Sequence, residues 1–185
     1  MISKSLFIVT LAMAFILSNT LTGQVFAADT TSAATDQPAS ITADIIGHDG
    51  KKIGEVKAAQ VKDGVEFKVH VMGLPPGKHG IHIHAVGKCD TPDFKSAGGH
   101  FAKAGTHHGM QNPQGPHWGD LPNINVVHGM GMATFTDKSV TLAAGDNSLN
   151  KAGGTSLVIH AGEDDEKTDP SGNSGDRVAC AVLAK

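Results

Sequence analysis

From residue 41 onward, apolar side chains recur at every second position in short runs, each closed by a turn signal. Residues 41–47 run into His48-Asp49-Gly50, and residues 52–59 run toward Lys62-Asp63-Gly64, both turns carrying the Asp-Gly pair that favours hairpins. The segment 65–71 alternates strictly, so Val65, Phe67, Val69 and Val71 share one face, which the pattern assigns to the core. A Pro75-Pro76-Gly77 break precedes a further strand at 81–86. Strand signals return at 124–127, 132–136, 140–143, 157–160 and 178–183. Between residues 87 and 122 periodicity gives way to Gly, Pro, His and Asp, and a second polar loop spans 161–175. Both connections far exceed the ordinary four to six residues or so, and loops of that length usually have a function. No helical period or internal repeat interrupts this pattern, which predicts an antiparallel sandwich or barrel.

The chain before residue 41 reads differently. Lys4 precedes an apolar run at 6–17, a polar stretch, and then Val25-Phe26-Ala27. A charged start, a short apolar segment and a small residue at the cleavage position predict a secretory signal over residues 1–27 and not a membrane span, which needs about 20 apolar residues. Residues 28–40 hold no side chain large enough to build a core and are expected to form a flexible linker. One folded domain, 41–185, remains.

Composition sharpens this reading in three places. The formal charge of −3 becomes −4 once Lys4 leaves with the signal, too mild to suggest nucleic acid as a partner. The two cysteines, Cys89 and Cys180, both lie in the mature domain and are able to bridge in an oxidising compartment. The third feature is 11 histidines beside a single tryptophan and no tyrosine, more than packing requires.

His82 and His84 flank Ile83 in a predicted strand, so both imidazoles project from one face. The long loop supplies Gly98-Gly99-His100, His107-His108 and His117-Trp118-Gly119-Asp120. Three imidazoles and a carboxylate suit tetrahedral zinc, which would also organise a loop with little core of its own. Spacing alone leaves a solvated, loosely metal-scavenging loop equally open. His70 and His128 read as ordinary strand and turn histidines.

Five segments in order resemble the copper/zinc superoxide dismutase family, in particular its exported bacterial members: Gly80-Ile81-His82-Ile83-His84, Gly98-Gly99-His100-Phe101, Gly115-Pro116-His117-Trp118-Gly119-Asp120-Leu121-Pro122, Leu157-Val158-Ile159-His160 and Gly175-Asp176-Arg177-Val178-Ala179-Cys180. The resemblance implies an all-β, eight-stranded antiparallel Greek-key sandwich or barrel with two long functional loops. It implies copper held by His82, His84, His100 and His160, and zinc held by His100, His108, His117 and Asp120, with His100 bridging the two. His107 is the rival to His108 for zinc. Asp164 aligns with a carboxylate that joins a copper histidine to a zinc histidine, with Asp165 as its rival. The resemblance also implies that Cys89 pairs with Cys180 and that Arg177 is the cation beside the copper that positions superoxide.

The implied reaction converts superoxide to dioxygen and hydrogen peroxide by copper redox cycling, with zinc structural. On this pattern His100 leaves the copper on reduction and takes up a proton. Export to the periplasm, or to the exterior, fits the signal. Monomer and homodimer stay open. Two departures stand out. After His100-Phe101 the chain runs Ala102-Lys103-Ala104 where the family usually has Asn-Pro, and His128-Gly129-Met130-Gly131-Met132, with Met110 nearer the zinc loop, is unusually rich in soft donors. Hairpin and gap-filling packing is the plainer reading of those methionines, and a soft copper-acquisition patch is the other. Two rival functions are an exported copper/zinc carrier or metallochaperone on the same fold, and an adhesive sandwich whose histidines bind only zinc.

Overall fold

A computed structural model describes residues 39–185, so the expected signal and nearly all of the expected linker lie outside the described residues. Nine strands form one antiparallel sheet that curls into a nearly closed barrel: β1 (Ser40–Gly47), β2 (Lys52–Val61), β3 (Gly64–Met72), β4 (Gly77–His79), β5 (Ile81–His84), β6 (Ile124–Val127), β7 (Met130–Asp137), β8 (Thr155–His160) and β9 (Arg177–Ala184). The first strand thus begins one residue before the expected domain start. Its order is β4-β6-β7-β3-β2-β1-β9-β8-β5, with one short 3₁₀ turn at Lys95–Ala97. Among the described residues no helix is long and apolar enough to cross a membrane.

Period two explains the core. Val65, Phe67, Val69 and Val71 are buried while Lys68 and Met72 are exposed, and β2 contributes Val56 and Ala58 to the same interior. Phe67 stacks on Phe135 across the β3/β7 pair, centroids 5.6 Å apart. Each fully buried side chain of this size contributes about 1.5–3 kcal/mol. A smaller cluster of Phe94, Ala97, Val158 and Cys180 lies under the first long loop, which the Cys89–Cys180 disulfide ties to β9.

The strands differ from those the periodicity predicts in two places. Gly77–His79 forms a short strand of its own, separated from β5 by Gly80 alone, and pairs with β6 while β5 pairs with β8. One stretch of chain therefore stands at both ends of the sheet order. The segment 140–143, expected as a strand, instead makes only an isolated bridge, Thr141 to Ser148. Val140 and Leu142 are buried, but the segment is not paired as a strand: the Gln60 side chain of β2 accepts from the Leu142 N–H at 2.7 Å and from the Thr141 hydroxyl at 2.9 Å. Alternation here reports burial without strand pairing.

All four residues of β5 are buried. Ile81 and Ile83 enter the main core, whereas His82 and His84 face the opposite way, beneath the two long loops. The outer edge of β5 is covered by the first of these loops. Ile83 N–H donates to Gly119 at 2.9 Å, Phe101 N–H donates to Ile83 at 2.8 Å, and His82 and His84 bridge Asp120 and His100.

Candidate metal centre

The strands and loops just described bring His82, His84, His100 and His160 together, one ring nitrogen from each lying within 4.8 Å of the others. His82 and His84 come from β5, His160 from the end of the adjacent β8, and His100 from the loop over the β5 edge. Those nitrogens, His82 Nδ1 and the Nε2 atoms of His84, His100 and His160, are buried and have no hydrogen-bond partner.

Each ring's second nitrogen is engaged. His84 Nδ1–H donates to the Gly98 carbonyl at 2.9 Å and His160 Nδ1–H to the Gly175 carbonyl at 3.0 Å. His82 Nε2–H donates to Asp164 Oδ2 at 2.8 Å, and His100 Nδ1 lies 2.9 Å from Asp120 Oδ1. Carbonyls and carboxylates accept only, so the bonds to Gly98, Gly175 and Asp164 place the protons of three rings outward and leave lone pairs facing inward. Several convergent, dehydrated lone pairs are costly unless a cation satisfies them. Imidazole nitrogen suits copper, and outer hydrogen bonds of this kind orient its ligands.

Electrostatics keep these rings neutral. Burial pushes His82 down to about 3 and His160 down to about 4, and it holds His84 well below, and His100 below, the usual histidine value. A neutral imidazole is the form that ligates metal.

A second cluster shares His100. One donor atom each from His100, His108, His117 and Asp120 lies within 4.8 Å of the rest. His100 Nδ1, His108 Nδ1 and His117 Nδ1 surround Asp120 Oδ1 at 2.9, 3.0 and 3.3 Å. Asp120 Oδ2 accepts the backbone N–H groups of Gly109 at 2.8 Å and His117 at 2.9 Å, fixing the carboxylate from behind. Three nitrogens and one oxygen are the donor set of a closed zinc site. Burial raises the Asp120 carboxyl, but the three surrounding histidines outweigh it and hold it far below the carboxylate range.

Asp164 joins the two clusters: Oδ2 takes His82 Nε2 at 2.8 Å and Oδ1 takes His108 Nε2 at 3.0 Å. Burial lowers His108, but the carboxylates of Asp120 and Asp164, one on each ring nitrogen, prevail and raise it to about 9. A cation arriving at Nδ1 would displace a proton there. Asp164 itself, raised by burial, is held well below its ordinary value by His108 and His82.

The adjacent rivals sit elsewhere. His107 Nδ1 faces Asp169 Oδ2 at 2.5 Å on a partly exposed surface, and Asp165 caps its own loop through the Lys167 and Thr168 N–H groups. Arg177, opposite His160 in the β8/β9 register, donates to the carbonyls of Phe94 at 2.7 Å and Gly98 at 2.6 Å. It lines a surface hollow of about 440 Å³ with His48, Lys95 and Gly175. His70 and His128 belong to neither cluster.

Two positions were not anticipated. His79 is buried at the end of β4, its ring held by the carbonyls of His160 at 2.7 Å and Pro75 at 2.9 Å. Gly172 has φ +62°, and a Cβ there would fall 1.7 Å from Asp164 Oδ1 and 2.9 Å from His108 Nε2. Only glycine lets the second loop approach that carboxylate. An isolated glycine in a polar loop carries no sign of this in sequence.

A family model described as copper/zinc superoxide dismutase matches residues 52–183. "Superoxide dismutase [Cu-Zn] 1" of Aquifex aeolicus is 49% identical over 144 residues, covering 76% of this chain and 85% of that protein. "Superoxide dismutase [Cu-Zn]" of Caulobacter vibrioides is 45% identical over 148 residues, covering 78% of this chain and 85% of the relative. Among solved structures, a double mutant of a SOD-like protein from Bacillus subtilis superposes with a TM-score of 0.75 at 35% identity, covering 78% of this chain and 97% of that one.

Proposed function

Since the chain belongs to the copper/zinc superoxide dismutase family, we propose that it disproportionates superoxide, two superoxide anions and two protons giving dioxygen and hydrogen peroxide, at the clusters built around His100. The observation that carries this assignment is the set of four buried ring nitrogens without partners. Bound copper supplies one-electron exchange in both directions, and bound zinc supplies a fixed charge and a cross-link.

His82, His84, His100 and His160 would hold copper; His100, His108, His117 and Asp120 would hold zinc. His100 would then offer a nitrogen to each metal, and the neighbouring cationic charge would favour loss of its last proton. Its Nε2 would be the atom able to hold a proton for the peroxide product. Asp164 orients His82 and His108 together. Arg177 keeps a permanent positive charge above the hollow and guides the anion inward.

A carrier on this fold would not need an anion-guiding cation. Metal content and superoxide consumption by the purified protein, before and after chelation, test the assignment. Activity that follows copper content supports it; copper bound without turnover points to a carrier, and zinc retained with no copper bound points to an adhesive domain.

Residues 1–27 serve as an export signal on this reading, and residues 28–40 as a tether, with the periplasm as destination. The oxidised Cys89–Cys180 pair suits that compartment. Sequencing the N-terminus of protein recovered from the periplasmic fraction tests it, with Ala28 expected first.

A further inference from the structure

Four methionines lie among the described residues, and none fills the core: Met72 is 53% exposed, Met110 50%, Met130 48% and Met132 70%. Gap-filling is the usual use of methionine, so its absence here asks for another cause. Three of the four share one surface. In the β3/β7 register Met72 stands directly opposite Met130, and His70 directly opposite Met132. Residues directly opposite one another in an antiparallel pair project from the same face, as do residues two apart in a strand. His70, Met72, Met130 and Met132 therefore form a two-by-two block on the outside of the barrel.

Directly opposed Cβ atoms lie about 4.5–5.5 Å apart and diagonal ones about 7–8 Å, within the span of flexible, unbranched thioether side chains. His70, Met72 and Met132 also line a surface hollow of about 710 Å³, which none of the histidines of the two metal clusters borders. We infer that this block is a separate surface site for a soft monovalent cation, Cu⁺, held by the thioethers of Met72, Met130 and Met132 and the imidazole of His70. Thioether and imidazole donors select soft or borderline metals, and a neutral donor set suits a singly charged ion better than Zn²⁺ or Mg²⁺. Nearby lysines do not oppose it with a net field. Lys52 and Lys57 pair with Asp44 and Glu55, and Lys68 pairs with Glu66.

The test titrates holoenzyme, with copper and zinc already bound, by Ag⁺ calorimetry. Ag⁺ stands in for Cu⁺ without a reductant, so the disulfide stays intact. One additional Ag⁺ is expected, lost in the Met72→Leu/Met130→Leu/Met132→Leu variant while dismutase activity stays at the wild-type level. An unchanged extra equivalent in that variant, or none in the wild type, overturns the site. If the triple variant does not fold, methionine-methyl NMR of the wild type decides. The resonances of Met72, Met130 and Met132 must shift together while that of Met110 stays, and any other pattern overturns the assignment.

Discussion

His84 and Arg177 are tied to the same carbonyl oxygen: His84 Nδ1–H reaches the Gly98 carbonyl at 2.9 Å and an Arg177 guanidinium N–H reaches it at 2.6 Å. A proposed copper ligand and the cation proposed to guide the substrate are thus registered against one point of backbone. Arg177→Ala is expected to keep the fold and both metals, because His84 retains its acceptor, yet to slow superoxide consumption by about tenfold or more. Focusing by a local cation raises encounter rates by roughly 10–10³, superoxide dismutase being itself a standing example of such steering. Screening acts over about 8 Å at physiological ionic strength, so the wild-type rate should fall with salt more steeply than the variant's. Stopped-flow rates across ionic strength, at matched copper occupancy, check both; equal rates and equal slopes would remove Arg177 from the mechanism.

Asp120→Asn is expected to lose zinc and lower thermal stability while copper is retained. Its carboxylate is buried, faces three histidines and accepts two backbone N–H groups, and breaking a buried charged network of this kind costs about 3–5 kcal/mol. Elemental analysis with calorimetry reads the outcome. An unchanged melting temperature in zinc-free protein counts against a cross-linking role.

Reducing Cys89–Cys180 should destabilise the protein by about 2–5 kcal/mol, because the bridge closes a loop spanning 91 residues. Activity should fall as well. The bridge ties the loop carrying Phe94 and Gly98 to β9, and those two carbonyls hold Arg177. Denaturant titration with and without reductant measures the first effect, and preserved stability would refute it.

Asp137 offers a pH-dependent test at a carboxyl that belongs to neither metal cluster, although the Asp120 charge adds a little to the rise that burial causes. Burial raises its carboxyl above the ordinary value despite two contacts from Ser139, and its Oδ2 is buried without a partner. A folded value above the unfolded one means that the native state binds the proton more readily, so the ionised form weighs against folding at neutral pH. Stability from this group is gained as pH falls through the folded value toward the unfolded value near 3.9. Asp137→Asn should therefore melt above the wild type at pH 7, the gap closing on acidification. A gap independent of pH would show that the charge is not responsible.

Period two sufficed to place Val65, Phe67, Val69 and Val71 inward and to put His82 and His84 on one face, because strand geometry is local. It failed at 140–143, where a loop is buried against the side chain of Gln60 on β2, 82 residues away from Leu142. The choices between His107 and His108, and between Asp164 and Asp165, turn on which of two neighbours a loop turns inward. That depends on approaches such as Gly172 against Asp164, made by chain far away in sequence. His79 gave no signal because its partners are backbone carbonyls, which every residue type carries.

The covering of β5 by the first long loop bears on solubility as well as on chemistry. Residues 100, 101, 119 and 120 occupy the strand's outer edge, so the metal-bearing loop also blocks strand addition. Were that loop to loosen on loss of its ion, Ile81-His82-Ile83-His84 would present an unpaired, largely apolar edge to a second molecule. Metal depletion would then expose a template for self-association in a protein that is otherwise still folded, and keeping the ion bound would guard against aggregation.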